Sequence, residues 1–129
     1  MELIKTNVKE ELHFSSSIVA VLGQFDGLHI AHVKLIEKAI QIGKERQMKV
    51  AVYTFDPHPD YILKKRQNLG YITPLSQKID LMSSLGVDYL VIIHFDLELS
   101  QLSPNVFIDK FLQDAKVIVV GSDYRFGYK

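Results

Sequence analysis

Short apolar runs rich in β-branched residues alternate with amphipathic helical patterns from residue 17 onward, and this alternation restricts the chain to few folds. The runs are SIVAVLG (17–23), KVAVYTF (49–55), YLVIIHF (89–95) and KVIVVG (116–121). Their length and composition are typical of buried strands. Strands that alternate with helices form a parallel sheet with right-handed crossovers. The sequence therefore predicts an α/β fold, a Rossmann-like parallel sheet with helices on both faces, and an additional edge strand before Ser17.

Three amphipathic patterns predict the helices between these strands. The first covers residues 31–47, where apolar residues recur at helical spacing. In the second, Thr73 is predicted as the N-cap, Pro74 as the first helical residue and Gly86 as the C-terminal stop. The Ser-Pro pair at 103–104 repeats this capping signal for a third helix.

Composition excludes several classes of function. The 15 basic and 15 acidic side chains cancel, so no general positive field attracts nucleic acid. The absence of cysteine excludes disulfides, thiolate metal sites and a cysteine nucleophile. No apolar run approaches the roughly 20 residues that cross a bilayer, and the charged N-terminus is unlike a secretory signal. We expect one cytoplasmic domain over residues 1–129, with neither nucleic acid nor membrane as a partner.

The loop after the first long strand, GQFDGLHIAH (23–32), carries the strongest chemical signal. A helix that begins here presents free backbone N–H groups and its positive dipole end, which together bind anions. His29 and His32 are three residues apart, so both imidazoles can lie on one face of the first turn and donate to phosphate oxygens. The alternatives are two surface histidines, or a zinc site that needs His58 or His94 as a further ligand. We interpret His94 as a structural histidine.

Other residues near the loops also have two interpretations. Asp26 is either a capping carboxylate of its loop or a ligand contact, and Phe25 is either core or part of the site. His58 lies between two prolines, where it either shapes the loop or contacts ligand. Arg125 lies between two aromatic residues, and it either pairs with phosphate, stacks on a ring or lies on the surface.

Five segments carry a resemblance to one family. GQFDGLHIAH resembles the GxFDGxHxGH signature of the nucleotidyltransferase superfamily, in the form found in prokaryotic FAD synthetases. TFDPHP (54–59) resembles the second signature of that family. TPLSQKIDLMSSLGVDYLVIIHFD (73–96) resembles the middle segment of the family. LSPNVFI (102–108), followed by VVGSDYRFG (119–127), resembles its third signature. The similarity covers nearly all of residues 17–129.

The resemblance implies a reaction and a set of site residues. The family's domain transfers AMP from ATP to FMN, which gives FAD and pyrophosphate, and the reaction uses Mg²⁺ with ATP. Carried over by position, the ATP-binding residues are Gly23, Phe25, Asp26, Gly27, His29 and His32, of which the two histidines are the catalytic residues. The implied pocket for flavin and nucleotide comprises Pro57, His58, Pro59, Gly121, Asp123, Arg125 and Phe126. No protein ligand for the metal is assigned.

The chain departs from the family pattern in three respects, of which the smallest is Gln24, at a variable position where several relatives have a smaller or different polar residue. Ala31 stands where the histidine motif usually has glycine, and its methyl group narrows the approach to phosphate. Family members continue into a Ser/Thr-rich motif with a downstream arginine, and most carry a β-barrel that phosphorylates riboflavin. We therefore expect a domain that is incomplete at its C-terminus and has no riboflavin kinase part. The alternatives to FMN adenylyltransferase are a non-catalytic ATP- or flavin-binding fragment and a nucleotidyltransferase that acts on another phosphorylated small molecule.

Overall fold

A computed structural model describes residues 1–27, 30–59 and 73–121, and within them five parallel strands form one sheet. The strands are β1 (Glu2–Thr6), β2 (Ile18–Leu22), β3 (Lys49–Asp56), β4 (Tyr89–His94) and β5 (Ala115–Val120). Their order across the sheet is β1-β4-β3-β2-β5. The predicted parallel α/β sheet is confirmed, and β1 is the predicted edge strand.

The described helices are α1 (Ile30–Arg46), α2 (Leu75–Leu85), α3 (Leu97–Ser100) and α4 (Pro104–Phe111). Three of them match predicted helices. The single turn α3 was not predicted, although its N-cap Asp96, which accepts from the N–H of Leu99 at 2.8 Å, is a readable signal. In the part of the chain that the structure describes, no helix has both the length and the apolar character needed to cross a membrane.

Apolar side chains pack against both faces of the sheet, and as a result every residue of β2 is buried. On one face, α1 and α2 contribute Ile36, Ala39 and Met82 to the core. On the other face, α4 contributes Phe107 and Phe111, which pack against the sheet together with the segment that follows β1. Helices therefore cover both faces, as the sequence predicts. Each large side chain buried in this way contributes about 1.5–3 kcal/mol of transfer free energy.

The strand order changes direction at β2, which makes this strand a topological switch point. β2 has β3 on one side and β5 on the other, so the chain winds away from β2 in two directions. Ligands of open α/β sheets bind outside the carboxyl ends of the strands at such a switch point. The segments that leave this edge are residues 23–27 after β2, Pro57–Pro59 after β3 and Gly121 after β5.

The C-terminal end of α1 is fastened to the beginning of β3. Gly43 is buried, and its carbonyl accepts from the N–H of Met48 at 2.8 Å. A Cβ atom at position 43 would lie 2.6 Å from the carbonyl oxygen of Met48. Glycine is therefore required by the close approach of the two backbones.

Three predictions made from single residues are wrong. Thr73 is not the N-cap of α2 and Pro74 is not its first helical residue, because the helix begins at Leu75 with Pro74 in the N-cap position. The hydroxyl of Thr73 instead accepts from the N–H of Gly27 at 2.8 Å. A tertiary partner has replaced the local one. His94 ends β4 exposed to solvent, so it is not the satisfied structural histidine that was expected. Two capping predictions are confirmed, since Ser103 caps α4 and Gly86 has the left-handed φ of 91°.

Candidate functional site

The loop after β2 has an unusual backbone that depends on Phe25. This residue has a φ of 59°, in the left-handed region that bulky side chains rarely adopt, while its ring is only 4% exposed. Burial of the ring offsets the strain of about 1–3 kcal/mol. The ring lies over Gly23, where a Cβ atom would stand 2.8 Å from Phe25 Cζ. The glycine at the end of β2 thus makes room for the aromatic residue two positions later.

Asp26 connects this loop to two other segments. Its Oδ1 accepts from the backbone N–H of Thr73 at 2.9 Å and lies 3.2 Å from Nζ of Lys78. Its Oδ2 lies 3.0 Å from Nε2 of His58. Both oxygens of the carboxylate therefore face protein donors, from the loop after β3, the entry to α2 and the first turns of α2. Of the two interpretations of Asp26, the geometry supports the capping carboxylate.

A second hydrogen bond runs between the same segments in the opposite direction. The N–H of Gly27, whose φ is 80°, donates to Oγ1 of Thr73 at 2.8 Å. Asp26 and Gly27 thus exchange two hydrogen bonds with Thr73. These two hydrogen bonds anchor residues 26 and 27 to the entry of α2.

The first turn of α1 lies next to this anchored turn. Ile30 is 75% exposed, Ala31 is exposed and His32 is half-buried. The imidazole of His32 packs edge-on against the ring of Phe25, with 5.5 Å between the ring centroids. The structure therefore places one member of the histidine pair beside the loop, at the positive end of the helix dipole. His29 lies outside the described residues.

Four of the predicted pocket residues directly follow the strands on either side of β2. Pro57, His58 and Pro59 are half-buried at the carboxyl end of β3, where His58 contacts Asp26. Gly121 follows β5 and is also half-buried. The structure thus brings the segments after β2, β3 and β5 to one edge of the sheet. The other predicted pocket residues, Asp123, Arg125 and Phe126, lie outside the described residues.

Gln24 is a polar residue of this edge to which the sequence assigned no role. Its Oε1 accepts from the N–H of Phe55 at 3.0 Å and from Oγ1 of Thr54 at 3.1 Å. Its Nε2 is buried and has no hydrogen-bond partner among residues 1–27, 30–59 and 73–121. Nothing in the local sequence distinguishes this glutamine from a variable loop residue.

Lys78 is the second residue that the sequence analysis missed. Its side chain is buried, and Asp26 neutralises its ammonium group. A signal was present in the sequence, because Lys78 falls on the apolar stripe of α2 formed by Leu75, Ile79 and Met82. A lysine inside an apolar stripe implies a buried partner, although the pattern does not identify it.

The described part of the chain offers no protein cage for a metal ion. No group of three or more histidine, cysteine, aspartate or glutamate side chains lies close enough together there to hold one. His58, considered as a zinc ligand, faces Asp26, a carboxylate that also contacts Lys78.

Comparison with known proteins identifies the family. The sequence model of FAD synthetase matches residues 11–129. The bifunctional riboflavin kinase/FMN adenylyltransferase of Listeria monocytogenes is 41% identical over 114 residues, which are 86% of this chain and 36% of that protein. The protein of the same name from Bacillus subtilis is 37% identical over 93% of this chain and 38% of its own length. The chain thus spans little more than a third of these relatives.

A solved structure supports the same fold. It is the crystal structure of a protein from Streptococcus pneumoniae that is described as a macrolide-efflux protein. The two structures superpose with a TM-score of 0.81 at 26% identity, over 96% of this chain and 43% of the other. The family match covers both the anchored loop after β2 and the segments at the neighbouring strand ends. The chain belongs to the FAD synthetase family.

Proposed function

We propose that this chain carries out FMN adenylyl transfer, in which AMP passes from ATP to the phosphate of FMN to give FAD and pyrophosphate. The observation that carries the proposal is the anchored turn at the carboxyl end of β2, which leads into α1 with His32 held beside it. This is where an open α/β sheet binds phosphates. Family membership and the names of the relatives support the same reaction.

The chemistry requires positioning and charge stabilisation rather than a protein nucleophile. A phosphate oxygen of FMN attacks the α-phosphorus of ATP in line, and a new P–O bond forms. The bond from the α-phosphorus to the oxygen that bridges to the β-phosphorus breaks, and its electron pair leaves with pyrophosphate. Backbone N–H groups at the start of α1, together with His29 and His32, would stabilise the charge that develops on the phosphates.

The other residues of the edge have supporting roles in this proposal. Gly23, Phe25 and Gly27 form the wall against ATP, while Asp26 acts through its protein contacts. Pro57–Pro59 and Gly121 enclose flavin and nucleotide, together with Asp123, Arg125 and Phe126. Support for this pocket comes from the position of the first four residues at the ends of β3 and β5, the strands on either side of β2.

Mg²⁺ enters the proposal as part of the substrate. The donor set of the described residues does not fit a protein-held magnesium site, because both oxygens of Asp26 already face Thr73, Lys78 or His58. When bound to ATP, the ion neutralises charge on the triphosphate and keeps several water ligands. We propose no protein ligand for it.

We also propose that residues 1–129 act as one domain and that this domain works in the cytoplasm. The shared parallel sheet, which runs from β1 to β5, supports the first proposal. The absence of cysteine in the sequence supports the second.

Incubation of the purified chain with ATP, FMN and Mg²⁺ tests the proposed reaction, with FAD and pyrophosphate followed by chromatography. Riboflavin replaces FMN in a parallel sample, and the His32→Ala variant is the control. FAD that forms from FMN and is lost in the variant supports the proposal. Protection of the fold against heat by ATP without FAD formation supports a binding fragment instead. If ATP neither reacts nor protects, the proposal is wrong.

A further inference from the structure

Lys78 occupies a position where folding alone would favour an apolar residue. Its side chain is 4% exposed and lies on the apolar stripe of α2, next to Ile79 and Met82. Removal of an ammonium group from water is costly, and replacement of a buried ion pair by apolar residues is often neutral or stabilising. The free energy of folding therefore does not by itself explain a lysine at this position.

The contact of Lys78 lies in the candidate site. Its Nζ lies 3.2 Å from Oδ1 of Asp26, whose side chain is only 14% exposed. The N–H of Thr73 reaches the same oxygen at 2.9 Å, and His58 faces the other oxygen at 3.0 Å. The ammonium group neutralises the carboxylate and helps to determine which oxygen faces α2 and which faces the loop after β3.

The orientation of Asp26 matters because its two neighbours have strained or permissive backbones. Phe25 has a φ of 59° and Gly27 a φ of 80°. A turn of this kind is maintained by the groups that anchor it. Three of the four contacts that anchor Asp26 and Gly27 come from the entry and first turn of α2, and the fourth comes from His58 after β3. A change at position 78 therefore acts on the turn, and through the contact of Phe25 with His32 it acts on the start of α1.

We propose that Lys78 is a positioning residue for adenylyl transfer. By neutralising and orienting Asp26, it holds the turn Phe25–Gly27 and the start of α1 in the geometry that binds the triphosphate. The proposal rests on the proposed function and deepens it. Lys78 acts through Asp26 and does not itself contact substrate.

Amide hydrogen exchange tests the positioning role without any need for turnover. In the Lys78→Gln variant, we expect exchange at the amides of Gly27 and Thr73 to accelerate about tenfold more than exchange at Val21 in β2, which reports any loss of global stability. The matched control is Lys44→Gln, which removes an exposed lysine from the last turn of α1. Unchanged exchange at Gly27 and Thr73, or an equal acceleration at all three amides, would overturn the proposal.

Kinetics separate the positioning role from the proposed function itself. We expect kcat for FAD formation by the folded Lys78→Gln protein to fall about tenfold or more, with the KM for FMN nearly unchanged. Lys78→Arg should recover part of the loss, because it keeps a charged donor. If the unaltered chain forms no FAD, the proposed function fails at that step, and the exchange experiment still decides the role of Lys78.

A charge-neutral double variant covers the case in which Lys78→Gln does not fold. Asp26→Asn combined with Lys78→Met removes both buried charges and leaves an amide oxygen that can accept from the N–H of Thr73. We expect its denaturation midpoint to return close to that of the unaltered chain, while the amide of Gly27 still exchanges about tenfold faster. Recovery of both stability and slow exchange would mean that Lys78 merely balances a charge, and the proposal would be wrong.

Discussion

The backbone N–H of Phe55 donates to the side-chain oxygen of Gln24 at 3.0 Å, and this contact fixes the orientation of the glutamine amide. A backbone N–H can only donate, so the atom that it meets must be the oxygen. The hydroxyl of Thr54 meets the same oxygen at 3.1 Å. The NH₂ group is left buried without an acceptor in the described part of the chain, which costs about 1–3 kcal/mol.

Replacement of Gln24 by glutamate tests the role of the NH₂ group separately from that of the side-chain oxygen. Gln24→Glu keeps the acceptor for Phe55 and changes the NH₂ group into a second carboxylate oxygen at the edge that is proposed to bind phosphates. We expect the free energy of unfolding to fall by about 1–3 kcal/mol, because the new oxygen is buried without a donor. When the carboxyl group is ionised, we expect the affinity for ATP to fall about tenfold or more, because like charges repel at short range. Calorimetric titration with ATP measures this change. An affinity equal to that of the unaltered chain would contradict the expectation.

Removal of the imidazole at position 32 should affect turnover far more than stability. His32 is half-buried and contacts Phe25 edge-on, so we expect His32→Ala to reduce the free energy of unfolding by about 1 kcal/mol. Loss of a group that stabilises transition-state charge reduces kcat by about 10²–10³-fold. We expect the same reduction for His29→Ala. His13→Ala is the control, since His13 is 56% exposed and pairs with Glu11. Normal turnover by both variants would exclude the proposed histidine roles.

Tyr53 makes the stability of the fold sensitive to alkaline pH. Burial of the phenol, assisted by the negative charge of Asp114, raises the pKa of Tyr53 well above its usual range. The neutral hydroxyl donates to the carbonyl of Phe111 at 2.7 Å. Because the pKa of Tyr53 is higher in the folded chain than in the unfolded chain, its contribution to stability is complete below about pH 10. The contribution is then lost at about 1.4 kcal/mol per pH unit as the pH rises further.

Urea denaturation at a series of pH values measures this effect. For Tyr53→Phe near neutral pH, we expect a free energy of unfolding about 0.5–1.5 kcal/mol lower than that of the unaltered chain, because the hydrogen bond to Phe111 is lost. Above about pH 10, its stability should decline less steeply than that of the unaltered chain. Parallel pH profiles for the two proteins would show that Tyr53 does not ionise on unfolding, contrary to the expectation.

Gly43→Ala should destabilise the fold although alanine favours helices. The new methyl group would stand 2.6 Å from the carbonyl oxygen of Met48, which belongs to the backbone and cannot rotate away. We expect the free energy of unfolding to fall by about 1–3 kcal/mol. Lys44→Ala, at the exposed neighbouring position, should change it by less than about 0.5 kcal/mol. Chemical denaturation measures the free energy of unfolding of both variants. Equal values for Gly43→Ala and Lys44→Ala would mean that the backbones at Gly43 and Met48 can separate at little cost.

The strands and long helices were predictable because their signals are local. The apolar runs and the caps at Ser103 and Gly86 depend on residues that lie a few positions apart. The site was only partly predictable. The sequence indicated the loop after β2 and its histidines, but the partner of Gly27 is Thr73, which is 46 positions away. The same holds for Asp26 and Lys78, since no local pattern shows which buried lysine meets which carboxylate.

The fastening of α1 at Gly43 makes the two ends of this helix unlike each other. Its far end is held by the hydrogen bond from Met48 and has no free space, whereas Ile30 at its beginning is largely exposed. Between the two ends, Ile36 and Ala39 are fully buried in the core. The 17-residue helix, about 25 Å long, therefore joins a closely packed end to an accessible end, and the accessible end is the one that lies at the candidate site.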